Sequence, residues 1–257
     1  MKNISISAVV NTCNEERYIG QCLEHLRWAD EIIVVDMHSE DNTVEICRKY
    51  TDKIYLHRRE ISVLYARNFA LSKATGDWIL VVDPDEIFPP SLCNKIMELI
   101  NAEPEFTAIA VPYKNRFLGR ILTSYPATWQ KRCFRKGHVS YPPRVHSQPT
   151  VNGEIYSLPY EDACLVIHDN YDSVSQFIQK MNRYTSDEAD HMYRDDGIRF
   201  SIYNLIRKPL SEFIHQYILR RSYRDGIEGF FYSALMSVYR FTTYAKLWDI
   251  EKNERTS

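Results

Sequence analysis

The chain has 257 residues, 44% of them hydrophobic and 26% charged, with a formal net charge of -2. That balance belongs to an ordinary globular protein and removes the electrostatic case for a nucleic-acid partner. The length suits one large α/β domain or a domain with an appendage. No run approaches the ~18 consecutive apolar residues of a membrane span, and the opening MKNISISAVVN lacks a signal-peptide core, so neither spanning nor secretion is expected. Cysteines 13, 22, 47, 93, 133 and 164 form no C-x-x-C or zinc spacing. Cys22 and Cys47 sit at apolar positions of helical patterns, which predicts reduced core thiols and a cytoplasmic location.

The first hundred residues alternate between strand and helix. Ile4 to Val10 is β-rich, and Ile19, Cys22, Leu23 and Leu26 then recur at helical spacing. Between them lies a polar mouth, Asn11-Thr12-Cys13-Asn14-Glu15-Glu16. Thr12 or Asn14 caps the helix there or touches a ligand, and the two roles are compatible. Glu31 to Asp36 is a second buried strand that closes on a carboxylate, followed by the N-cap formers Ser39 to Asn42. Lys53 to His57 makes a short third strand, and a helix through Ala66, Phe69, Ala70 and Lys73 follows. Such alternation implies right-handed crossovers and a parallel sheet. The chain has no G-x-G-x-x-G after its first strand and no G-x-x-x-x-G-K anywhere, which sets aside a dinucleotide site and a P-loop.

The stretch Ala74 to Pro90, ATGDWILVVDPDEIFPP, carries the most chemistry. Its apolar run Trp78 to Val82 reads as a buried strand, and Asp83, Asp85 and Glu86 follow at its carboxyl end, where open α/β sheets bind ligands. Two carboxylates held on one turn repel each other, and a divalent cation keeps both ionised. The plainer alternative is an acidic turn leading into the next helix, with Glu86 as a helix-start carboxylate.

Beyond the helix at 92–100 and a strand at 106–112, residues 113–160 mix aromatic, proline and basic residues, Arg132 among them. Ala163 to Ile167 is apolar and ends at His168. Ser173 and Gln176 have capping-box spacing ahead of a stripe of Val174, Phe177, Ile178 and Met181. Leu210, Phe213, Ile214, Tyr217 and Ile218 then outline one amphipathic helix. Phe230, Phe231, Ala234, Leu235 and Val238 outline the core of another. From Arg199 to Arg224 six bases face one acid, Glu212. That pattern suits an anionic inner membrane surface, or a helical element packed on the sheet or on a second subunit of a homo-oligomer.

Taken together, SAVVNTCNEERYI, EIIVVDMHSEDNT, YARNFAL and GDWILVVDPDE, in that order, resemble glycosyltransferase family 2, whose members have the GT-A fold. The resemblance covers roughly residues 4 to 250. VHSQPTVNG, LVIHD, KMNRYTSDEA and the DGIEGFF region are similar to a narrower branch that includes bacterial lipopolysaccharide-core glucosyltransferases. The resemblance implies an α/β GT-A catalytic domain over residues 1–195 and a helical appendage over 196–257, facing a membrane or an oligomer partner. It also implies a nucleotide diphosphate sugar donor, a UDP-sugar first, and a Mn²⁺ or Mg²⁺ ion. Thr12, Asn14 and Glu15 would line the nucleotide end, Asp36 would accept from the base, and Arg67 would approach the base or ribose. Asp83 and Asp85 match the D-x-D motif, with Asp83 at the ribose or metal and Asp85 as direct metal ligand; His168 would complete the metal site. The acceptor would be a glycan or a lipid-linked sugar. Where relatives of the narrower branch carry an acid after Val-His, this chain has Ser147, so Asp162 and Glu161 are the expected sources of the catalytic base, with Glu86 beside the metal motif as another candidate. The rival readings are a nucleotidyltransferase, which normally has a glycine- and Arg/Lys-rich loop missing here, and a non-catalytic nucleotide-sugar-binding or scaffold protein.

Overall fold

A computed structural model describes residues 4–60, 66–102, 104–124, 127–142 and 148–256. The chain forms two compact units, one of residues 1–114 and 127–168, the other of residues 115–126 and 169–257. The division expected at 195 therefore falls inside the second unit.

The first unit is built on β1 (Ile6–Thr12), β2 (Glu31–Asp36), β3 (Ile54–Leu56) and β4 (Trp78–Val82). These four pair in parallel in the order β3-β2-β1-β4, as the alternation predicts. All seven residues of β1 and all five of β4 are buried, which is why β4 reads as an unbroken apolar run and β1 as a β-rich one. Ile6, Ala8, Val10, Trp78, Leu80 and Val82 pack with α1 (Ile19–His25), α2 (Thr43–Cys47) and α4 (Pro90–Asn101). The alternate residues Val9, Ile33, Val35, Ile79 and Val81 pack with α3 (Arg67–Lys73) and Tyr141. No disulfide joins the six cysteines, and four of them are buried.

Past β4 the sheet turns largely antiparallel. β5 (Glu86–Ile87) comes directly after the Asp-Pro-Asp turn, followed later by β6 (Ala108–Phe117), β7 (Arg120–Ile121) and β8 (Thr128–Arg135). β8 lies antiparallel between β4 and β6, with Leu80 opposite Cys133. A β9 (Val139–Ser140) and β10 (Thr150–Val151) ribbon and β11 (Ile155–Ser157), the parallel exception beside β6, precede β12 (Val166–Tyr171), whose start pairs antiparallel with β5. Glu86 is thus a strand residue, 1% exposed, and not the helix-start carboxylate expected; α4 begins four residues later, at Pro90.

At the opposite edge, Glu31 ties β1, β2 and the Thr75-Gly76 turn together. It accepts from Ser7 Oγ, from Lys53 Nζ and, at 2.9 Å, from Thr75 N. Burial alone would raise this carboxyl, but those donors outweigh it and hold the pKa at about 2, against an ordinary 4.5. A depressed folded pKa stabilises fully above the unfolded value and loses its contribution as pH falls from about 4.5 towards 2. Discounted for the exposed Lys53, the contribution is about 2 kcal/mol. Urea midpoints measured across that window are expected to fall more steeply for the native chain than for Glu31→Gln.

The second unit is helical. α5 (Val174–Arg194) starts at Ser173, whose hydroxyl accepts from Gln176 N at 3.1 Å, as the capping-box spacing predicts. The Gln176 amide reaches back to Asp172 N rather than to Ser173 N. α6 (Ile202–Ile214) continues through a π-helical turn, His215–Leu219, and a 3-10 turn, Ser222–Asp225, into α7 (Gly226–Thr256). Phe117, Phe177, Met181 and Tyr239 form one cluster; Ala189, Met192, Tyr244 and Leu247 form another. The residues expected inside α7 are partly outside: Phe230, Phe231 and Val238 are 40–47% exposed, while Ser233, Thr243 and Leu247 are buried. Buried Asp225 accepts from the backbone and hydroxyls of Thr123 and Ser124. Gly229 runs so close to this turn that an added Cβ would lie 1.9 Å from the Ser222 carbonyl oxygen. Gly229→Ala is therefore expected to cost about 3 kcal/mol, read as a lower thermal midpoint.

Candidate functional site

The carboxyl ends of β1, β2 and β4 face a common edge, because the three strands are parallel and in register. Two residues just past β1 and β2, Asn14 and His38, both have φ of 57°, in the left-handed region that costs a non-glycine residue about 1 kcal/mol. Asn14 is held there by both its ends. Its N–H donates to Ser39 Oγ at 2.8 Å, and its side-chain oxygen accepts from Glu40 N at 2.7 Å. Glu15 N donates to Thr43 Oγ1 at 2.8 Å, so the polar mouth is clipped to the loop after β2. Neither Thr12 nor Asn14 caps α1, whose N-cap is Tyr18 without a side-chain bond. Thr12 is fully buried, and its hydroxyl has no partner among the described residues. Asp36 ends β2 nearly buried, accepting from Ser39 N at 3.0 Å and from Ser39 Oγ at 2.5 Å.

The centre of the site is a buried charge network. Asp83 Oδ1 accepts from Arg67 Nη2, and its Oδ2 accepts from Arg132 Nη2 at 2.8 Å. Arg132 also donates to Glu86, and through Nε to the Tyr113 hydroxyl at 2.8 Å. The Asp83 N–H donates to Glu86 Oε2 at 3.0 Å, which closes the Asp-Pro-Asp turn on itself. Burial would raise the Asp83 carboxyl, yet the Arg67 and Arg132 guanidiniums hold it well below the usual range. Burial pushes Glu86 up to about 7, with Asp83 adding to the rise and Arg132 opposing it. Asp83 thus lies in a two-arginine clamp, whereas the sequence suggests it at ribose or metal.

Asp85 and His168 form a separate pair. The antiparallel β5–β12 register sets His168 opposite Glu86, and its Nε2 comes within 3.3 Å of Asp85 Oδ2. Both side chains keep some exposure, 12% for Asp85 and 23% for His168. Burial opposes a charged ring, but Asp85, Glu86 and Asp83 outweigh it and raise His168 above its ordinary value. A carboxylate oxygen beside an imidazole nitrogen suits Mn²⁺ or Mg²⁺ at two coordination positions. Among the described residues no group of three or more His, Cys, Asp or Glu is placed to hold a metal, so the remaining positions would fall to a ligand and water.

Arg67 is placed differently from the expectation. It is 1% exposed and turned onto Asp83 and the face of Tyr141, at 5.7 Å, rather than presented towards a base or ribose. Its Nε and Nη1 have no partner among the described residues. Asn68 braces the same segment, donating to Tyr141 O and accepting from Tyr141 N, both at 2.8 Å. Asp162 and Glu161 are exposed. Asp162 accepts from the Tyr160 hydroxyl at 2.5 Å with Lys114 Nζ 3.7 Å away, and no described contact joins either acid to Asp85 or His168. His146 and Ser147 lie outside the described residues. The residue that sequence reasoning missed is Arg132, which appears there only as one base among many. Its signal is positional: β8 runs antiparallel to β4, so the residue before Cys133 arrives at the carboxyl edge.

The chain is 26% identical over 253 residues to the lipopolysaccharide core biosynthesis glycosyltransferase LpsC of Rhizobium meliloti, covering 95% of this chain and 92% of LpsC. It is 26% identical to the uncharacterized glycosyltransferase RT0209 of Rickettsia typhi, over 97% and 89% of the two chains. Among solved structures, the mannosyltransferase PcManGT from Pyrobaculum calidifontis, in complex with GDP-Man and Mn²⁺, superposes with a TM-score of 0.57 at 15% identity, over 97% of this chain and 88% of that one. S. aureus TarS gives 0.51 at 16% identity; the match covers 90% of this chain and 55% of TarS. At those identities the likeness shows the fold, which is GT-A with C-terminal helices. The family model for glycosyl transferase family 2 matches residues 7–152, more than half of the chain, and the chain belongs to that family.

Proposed function

We propose that this glycosyltransferase moves a sugar, with inversion, from a nucleoside diphosphate sugar to a glycan or lipid-linked acceptor of cell-surface polysaccharide or lipopolysaccharide, at the inner face of the cytoplasmic membrane. The observation that carries the reading is the Asp85–His168 pair at the carboxyl edge of the sheet, next to the clamped Asp83. A UDP-sugar is the donor we favour. Thr12, Asn14, Glu15 and Asp36 would line its nucleoside end, where the buried Thr12 hydroxyl has no partner among the described residues. Asp85 and His168 would hold Mn²⁺ or Mg²⁺, which as a Lewis acid offsets the charge that develops on the leaving diphosphate. Asp83, bound by Arg67 and Arg132, fixes the turn that presents Asp85. The acceptor hydroxyl would lose its proton to Asp162 or Glu161 on their exposed turn. The name of LpsC supports the choice of acceptor class.

A panel of UDP-, GDP- and other nucleotide sugars, read by thermal stabilisation with and without Mn²⁺ and then by nucleoside diphosphate release, tests the reading. Stabilisation by one nucleotide sugar that needs the metal, and turnover that falls in Asp162→Asn without a change in donor affinity, are expected. Release of pyrophosphate instead of a nucleoside diphosphate would mark a nucleotidyltransferase, and stabilisation without any turnover would mark a binding protein.

A further inference from the structure

We infer that the outward face of α6 is the surface by which this protein docks on an anionic phospholipid bilayer. Ile202, Ile206, Leu210, Ile214 and Ile218 recur every fourth residue along α6 and its π-helical extension, and each is 51–62% exposed. An amphipathic helix in a globular unit normally turns such a stripe inward. Here the inward side carries Pro209 and Gln216, both buried, and Glu212, which accepts from Gln216 at 2.7 Å and pairs with Arg240 at 3.4 Å. The helix therefore packs inward through a mixed side that also holds half-buried Leu205 and Phe213, and leaves this apolar stripe outside.

Charge selects the occupant. Arg207, Arg221 and Arg224 are exposed beside the stripe, Lys208 and Arg220 are half-buried there, and the one acid between Arg199 and Arg224, Glu212, is turned away. A groove of about 700 Å³ opens along the same helix, lined by Arg207, Lys208, Leu210 and Ile214 and also by Glu188 and Glu212, whose charges Arg240 pairs. Cations next to apolar side chains match a phosphate headgroup above its acyl chains. On α7 the bases beside exposed apolar residues are fewer: Arg240 and Lys246 bond inward to Glu188 and Asn182, and Lys252 alone lies over the Trp248 ring, at 5.1 Å. No helix among the described residues is long and apolar enough to cross a membrane, so α6 would lie in the plane of the surface.

This inference rests on the membrane part of the reading above and is independent of donor and metal. Sucrose-loaded vesicles of phosphatidylglycerol and phosphatidylcholine, against phosphatidylcholine alone, are sedimented with the full chain. Binding is expected only with phosphatidylglycerol and is expected to weaken with salt. The Arg207→Gln, Lys208→Gln, Arg224→Gln variant is expected to bind on the order of a hundredfold more weakly, roughly fivefold per cation removed. Ile206→Ser, Leu210→Ser, Ile214→Ser changes only exposed positions and is expected to abolish sedimentation while nucleoside diphosphate release from a soluble acceptor assay is unchanged. If both variants bound like the native chain, α6 would not be the docking face, although membrane attachment would stand. If the native chain ignored the vesicles and sedimented as a dimer that the serine variant broke, a second copy would occupy the face and both readings would fall.

Discussion

Arg132→Met is expected to destabilise the protein by about 3–5 kcal/mol, because it leaves two buried carboxylates with a single cation between them. Arg132 bonds Asp83, Glu86 and Tyr113 at once, whereas Arg67 bonds Asp83 and, among the described residues, not Glu86. Methionine fills much of the volume, so the loss measures charge rather than a cavity. Glu86 sits at a pKa of about 7 even with Arg132 present, and without it the carboxyl would take up a proton or force the turn open. The double variant Arg132→Met, Glu86→Gln removes one of the orphaned charges and is expected to recover a large part of the deficit. Urea denaturation of the three proteins measures this directly. A single variant within about 0.5 kcal/mol of the native chain would mean that the network does not hold the turn.

Asp85→Asn has the opposite profile: an intact fold and a loss of transfer. Asp85 keeps 12% exposure and lies outside the two-arginine clamp, so its neutral analogue leaves the buried network untouched. What it loses is a charged oxygen next to His168. Turnover is expected to drop by about 10²–10³, the scale of removing one preorganised group that faces developing charge. Thermal midpoints without ligand are expected to match the native value, which separates this variant from Arg132→Met. His168→Gln is expected to follow Asp85→Asn in donor turnover with a smaller loss.

Residues near one another in the chain are where the sequence is most informative. The runs that became β1, β2 and β4 were legible because strands buried on both faces need no alternation, and their parallel pairing follows from the helices between them. Asp36 and Asp85 were legible as carboxylates at strand ends. Arg132 and the strand role of Glu86 were not, since both depend on antiparallel pairing with distant segments, β8 against β4 and β12 against β5. The clamp on Asp83 was hidden for the same reason: nothing local distinguishes a carboxylate that awaits a ligand from one already bound by Arg67 and Arg132. In the second unit, periodicity finds apolar stripes but not which stripe is inward. α7 therefore buries Ser233, Thr243 and Leu247 in place of Phe230 and Phe231, and of the stripe expected on α6, Leu210, Ile214 and Ile218 are exposed while Phe213 and Tyr217 are half-buried.

Calorimetric titration of UDP into the native chain, with Mn²⁺ and then with the metal chelated, tests the site most directly. Because Asp85 and His168 offer only two protein ligands among the described residues, tight nucleotide binding is expected with Mn²⁺ present and is expected to vanish on chelation and in Asp85→Asn. UDP binding of equal strength with and without the metal, unchanged in Asp85→Asn, would contradict the account.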